Sequence, residues 1–154
     1  MKKTTLFLTV VLGVALLSGS LQAQTSNQTI NLTIDPVMLV ATDAASHSLS
    51  ITSGTVDQIA LDPVMAPGTY RWVTNQNATK ITAEIESDMP AGASLELRVG
   101  AGSYFPLVST PADIRTGMGR GAGNEAYTFR FSANATVDPA TVPASKTVTW
   151  TITN

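Results

Sequence analysis

Along most of its length the chain alternates apolar and polar side chains with a period of two, and that alternation limits what it can fold into. Thr147–Thr153 reads Thr-Val-Thr-Trp-Thr-Ile-Thr. In an extended strand successive side chains point to opposite faces, so Val148, Trp150 and Ile152 line one face and the threonines the other. Tyr127, Phe129 and Phe131 alternate with Thr128 and Arg130 in the same way. Ile81, Ala83 and Ile85 alternate within 80–86, Leu95, Leu97 and Val99 within 94–99, and Ile30, Leu32 and Ile34 within 29–34. Shorter candidates lie at 37–41, 48–52, 69–74 and 104–108. β-branched and aromatic residues fill these runs, as a half-buried pleated surface favours.

Turn signals separate the runs: Asp35-Pro36, Ser53-Gly54, Pro67-Gly68, Pro90-Ala91-Gly92, Thr110-Pro111 and Asp138-Pro139. Roughly seven to nine short strands at this spacing predict an all-β fold, a single immunoglobulin-like antiparallel β-sandwich. Val148, Trp150 and Ile152 are expected to face its core, with their strand beside Tyr127–Phe131. Asp35-Pro36-Val37-Met38 recurs as Asp62-Pro63-Val64-Met65. Two copies of four residues make no repeat array, and each reads as a turn that opens a strand.

The first residues read differently. Lys2 and Lys3 precede an apolar run from Leu6 to Leu17, followed by small and polar residues through Ala23. This is the layout of a secretory signal peptide, with cleavage expected after Ala23. Residues 1–23 are therefore the signal peptide and 24–154 the β-sandwich domain, with no membrane span expected in the mature chain. Without Lys2 and Lys3, seven basic residues face eleven acidic ones, a net charge of −4. That balance argues against nucleic acid and anionic membranes as partners, since both need concentrated positive charge. There is no cysteine, so disulfides, thiolate metal sites and a lipidated cysteine are excluded.

The glycines Gly117, Gly119, Gly121 and Gly123 invite a nucleotide-binding reading. A phosphate loop follows a strand and opens a helix; here the glycines run into the Tyr127–Phe131 alternation and read as an exposed turn. His47 is the single histidine, and no nucleophile elbow accompanies it, so it reads as a partly exposed loop histidine without catalytic work. Glu84, Glu86 and Asp88 share a strand face and read as a solvated acidic surface rather than a calcium site, which draws closely spaced loop ligands. No catalytic residue, metal ligand or cofactor is expected. Tyr70, Trp72 and Tyr104 are candidates for an aromatic platform under a sugar ring, although Tyr70 and Trp72 alternate with Arg71 as inward positions would. Asn27, Asn31, Asn77 and Asn134 stand in glycosylation sequons, which count only in a host that uses them, whereas the signal peptide is of bacterial type.

The stretch DIRTGMGRGAGNEAYTFRFSANATVDPATVPASKTVTWTITN, Asp113–Asn154, and MPAGASLELRV, Met89–Val99, resemble small secreted bacterial β-sandwich proteins and, more distantly, fimbrial subunits and the spore-coat-U type. That resemblance implies a non-enzymatic structural or adhesive role at the cell surface, outside the cell or in the periplasm, with itself or other surface proteins as partners. The alternative is a secreted module that binds carbohydrate or another small ligand. The fimbrial likeness further implies polymerisation by donating a strand to a neighbour's sheet, with Ile30, Leu32 and Ile34 as the donor residues. Many such subunits carry a cysteine pair that this chain lacks. An apolar edge cannot stay free in water, so Thr29–Ile34 must complete its own sandwich or a neighbour's; pairing within one chain avoids the entropy cost of association and is the favoured expectation.

Overall fold

The computed structural model describes residues 26–154; the expected signal peptide, 1–23, lies outside the described residues. The chain divides into two units at the Ile34–Asp35 junction. The second, Asp35–Asn154, is all-β, with two antiparallel sheets forming a β-sandwich. Its strands are β1 (Met38–Thr42), β2 (Val64–Thr74), β3 (Thr79–Ile85), β4 (Ala93–Val99), β5 (Phe105–Pro106), β6 (Ala112–Met118), β7 (Gly121–Ala133) and β8 (Val148–Thr153). One sheet has the order β1-β2-β7-β4-β5 and the other β6-β3-β8.

Inward side chains of both sheets form one core. Tyr70, Leu97, Tyr127 and Phe129 contribute from the larger sheet, and Ile81, Ala83 and Ile85 from the smaller. Aromatic rings join the layers: Trp150 of β8 stacks on Tyr70 at 5.1 Å between centroids and tilts against Tyr127 at 5.4 Å. The expected inward face of β8 is therefore present. Its expected neighbour is not, because β8 pairs with β3, Trp150 opposite Ala83, and meets β7 across the core. Alternation fixes which face a residue occupies but leaves the hydrogen-bonded partner open.

Two glycines let the rings lie flat on the sheet. Gly68 pairs with Tyr127, and Gly123 with Trp72. A Cβ on Gly68 would stand 2.4 Å from Tyr127 Cζ, and one on Gly123 would stand 2.4 Å from Trp72 Cζ2. The remaining glycines of the cluster carry the chain from β6 in one sheet to β7 in the other, with Gly119 and Arg120 between the strands. The cluster is thus a sheet crossing, with one of its glycines seating a core ring.

Three expected strands differ. The 104–108 run contracts to the two residues of β5. The 48–52 run is no strand, although its side chains alternate in burial. In the first unit, 26–34 are exposed and form no strand: Ile30, Leu32 and Ile34 are 71%, 88% and 87% exposed. An alternating segment becomes a strand only when another backbone pairs with it, and Thr29–Ile34 has no ladder partner among the described residues.

Candidate functional site: an unpaired seam along the sandwich

At Thr42 β1 ends, and the chain runs on beside the segment that leads into β8. His47, Leu49 and Ile51 turn inward while Ser48, Ser50 and Thr52 turn out, the pattern of a half-buried strand. Its backbone is nevertheless unpaired. Asp43 N–H donates to the Thr69 carbonyl at 2.9 Å, but no backbone hydrogen bond joins 44–51, or 143–146 across from it, to another described backbone group. Two stretches, of which only 44–51 has the side-chain alternation of a strand, therefore face each other without backbone-to-backbone hydrogen bonds.

Two cavities lie between these stretches, and a third adjoins them between 49–51 and the 137–142 turn. The first, about 350 Å³, is lined by Thr42, His47, Leu95, Tyr127, Lys146 and Trp150 among others. The second, about 270 Å³, includes His47, Leu49, Met89, Leu95, Phe131 and Pro143. The third, also about 270 Å³, lies among Leu49, Ile51, Leu61, Phe131, Val137 and Val142. The floor is made of core side chains, and the walls of the first two cavities are backbone without backbone partners, an arrangement that an extended peptide with alternate apolar residues fits.

Inside the seam, His47 Nε2 lies 2.8 Å from the Tyr127 hydroxyl, and its ring meets Tyr127 and Phe129 edge-on. Burial, with the Asp43 charge adding to it, pushes the Tyr127 hydroxyl pKa up, so the hydroxyl stays protonated. No serine hydroxyl or carboxylate is hydrogen-bonded to His47 among the described residues, and the geometry is not that of a hydrolytic triad. Lys146 Nζ donates to the Ser87 carbonyl at 2.8 Å and to its hydroxyl at 2.6 Å, which fastens the 143–146 margin to the end of β3.

Of the aromatic candidates, Tyr70 and Trp72 lie side by side, with ring centroids 5.6 Å apart, but Tyr104 does not join them. Tyr70 is fully buried and presents no face to a sugar. Its hydroxyl donates to Glu125 Oε2 at 2.8 Å, and burial first, then this acceptor, pushes its pKa up. Trp72 is half-buried over Gly123, with the Arg115 guanidinium 4.6 Å from its ring centroid. Tyr104 stands apart, on the outer face of the larger sheet, where Arg98 and Arg130 lie 4.8 and 4.1 Å from its centroid. Arg130 is held bidentately by Glu96 at 2.6 and 2.9 Å, and this partner raises its pKa. The acids of the third alternation also separate: β3 ends at Ile85, and Asp88 accepts the Ser109 N–H at 2.7 Å. No group of three or more metal-ligating side chains occurs among the described residues.

The sequence did not disclose the seam. Ile30, Leu32 and Ile34 were legible as an apolar face; the groove was not, because 48–52 reads as an ordinary strand until its missing partner is seen and 143–146 carries no pattern.

No family model matches the chain, and no curated protein sequence matches it. Among solved structures, it is similar to the CupB6 tip adhesin from Pseudomonas aeruginosa, with 16% identity over 77% of this chain and a TM-score of 0.40. It spans 43% of that adhesin's length. It is also similar to the P pilus rod subunit PapA, with 14% identity over 75% of this chain and 97% of PapA, again at a TM-score of 0.40. At these values the likeness carries no argument about function.

Proposed function

We propose that this chain is an exported, non-enzymatic structural subunit that assembles with copies of itself, each seating its Thr29–Ile34 segment in the seam of the next. The observation that carries this reading is the unpaired seam, whose two margins lack backbone partners above a floor of core side chains. A strand laid between them would satisfy both margins and cover the core at once.

The donor suits the receptor. Ile30, Leu32 and Ile34 recur every second residue, so in an extended chain their side chains share one face at intervals of about 6.6 Å. All three are exposed. Next along the chain, Asn75 accepts the Val37 N–H at 2.7 Å through Oδ1 and donates through Nδ2 to the Asp35 carbonyl at 2.8 Å, which anchors the first residues of the sandwich unit.

The test is the assembly state of the chain beginning at Gln24, followed by light scattering and negative-stain microscopy. The native protein is expected to form linear assemblies, and Leu32→Asp to stay a folded monomer, because a carboxylate cannot enter the apolar floor without a large desolvation cost. A native protein that remains monomeric at high concentration, or a Leu32→Asp variant that assembles equally well, overturns the reading.

A further inference from the structure

We propose that His47 gates strand insertion by its protonation, so that copies join near neutral pH and part in acid; this rests on the strand-exchange reading above. His47 is the chain's one histidine, and it lines two of the three cavities of the seam. Histidine is the side chain whose charge changes between about pH 5 and 8.

The hydrogen bond to Tyr127 makes this position sensitive. Tyr127 is 2% exposed, and His47 Nε2 is its hydroxyl's one side-chain partner among the described residues. When the neutral ring carries its proton on Nδ1, Nε2 accepts the tyrosine O–H and both groups are satisfied. Protonation makes Nε2 a donor. The tyrosine oxygen must then accept, and its own hydrogen loses its side-chain partner.

In the seam as it stands, the partly exposed His47 ring borders a cavity of about 350 Å³, which leaves room for water to solvate the imidazolium. A seated apolar strand expels the water, and the penalty for a buried charge and an unmet donor then appears in full. The cost therefore arises in the filled seam and not in the empty one, which is the condition for coupling between protonation and insertion.

The surrounding charges leave desolvation to decide. Asp43, on the same segment, favours the imidazolium, but it is exposed and water screens it. Lys146, lining the same cavity from the opposite margin, opposes the imidazolium, with its ammonium turned to Ser87. From β7, Tyr127 is held neutral by burial and Phe129 carries no charge. The lining residues from β4 and β8, Leu95, Val148 and Trp150, carry none either.

A labelled peptide of residues 24–35, titrated into the 24–154 chain carrying Leu32→Asp to keep its own donor out of the seam, reads the coupling by fluorescence anisotropy. One linked proton changes affinity by up to about tenfold per pH unit, so binding at pH 5 should be at least about tenfold weaker than at pH 8. His47→Gln in the same background should bind nearly equally at both. Equal binding by the histidine protein at both pH values, or an undiminished pH difference in His47→Gln, overturns the gate while strand exchange stands. No binding at any pH sinks both. A proton NMR titration of the His47 ring needs no variant at this position: its midpoint must fall when the peptide is bound, and an unmoved midpoint overturns the gate.

Discussion

Replacing Trp150 with alanine tests whether the two sheets are held together by the aromatic cluster between them. The indole stacks on Tyr70 with an interplanar angle of 27° and leans on Tyr127 at 48°. Its hydrogen-bonded neighbour is Ala83, which is too small to fill the space. Truncating a fully buried tryptophan costs about 3–5 kcal/mol. Trp150 is half-buried, which places it near the lower end, about 3 kcal/mol. For a domain of this size each kcal/mol corresponds to about 3–5 °C of melting temperature, so a fall of about 10–15 °C is expected. Thr149, next along β8, points outward and is exposed; Thr149→Ala should stay within about 0.5 kcal/mol of the parent. Urea and thermal melts followed by circular dichroism measure both. Similar losses in the two variants, or a fall under about 3 °C for Trp150→Ala, would refute the assignment of the inward face.

Gly68→Ala should destabilise by about 1–3 kcal/mol, the usual cost of overpacking, because its Cβ would meet the Tyr127 ring at 2.4 Å. Gly119→Ala, with nothing within 4 Å, should leave the urea midpoint unchanged, and equal shifts would show that the ring does not rest on Gly68. Asp88 is held below the usual carboxylate range chiefly by the Ser109 N–H. A depressed folded pKa gives stability that is present above the unfolded value and is lost as pH falls through the folded one. Thermal melts should therefore decline below about pH 4, with a shallower decline for Asp88→Asn; identical acid limbs would remove Asp88 from the account.

What the sequence disclosed and what it withheld divide along one physical line. The faces of β3, β4, β7 and β8 followed from alternation, because burial acts on each side chain locally. Partners did not follow: β8 lies beside β3 although the Tyr127–Phe131 strand was its expected neighbour, and the choice of neighbour depends on where the chain crosses between layers. β6 went unread because register shifts opposite Ile81 break its pattern. The Ser48–Thr52 stretch and the Thr29–Ile34 stretch were read alike as strands. Both have the side chains of one and neither has the backbone partner, so the seam and its candidate occupant were visible only as two strands that failed to form.

The pairing scheme also sets a tempo. Val64 of β2 finds Phe131 of β7, and Lys80 of β3 finds Thr153 of β8, so each sheet closes only after distant parts of the chain have met. Such topology belongs to the slow end of two-state folding, milliseconds to seconds, and the chain has no covalent crosslink to shorten the search. Until those meetings occur, the strands that will form the core lie open to other copies, and crowding during synthesis favours the wrong encounter. Yield in refolding should then fall with protein concentration more steeply than the stability of the finished sandwich would suggest.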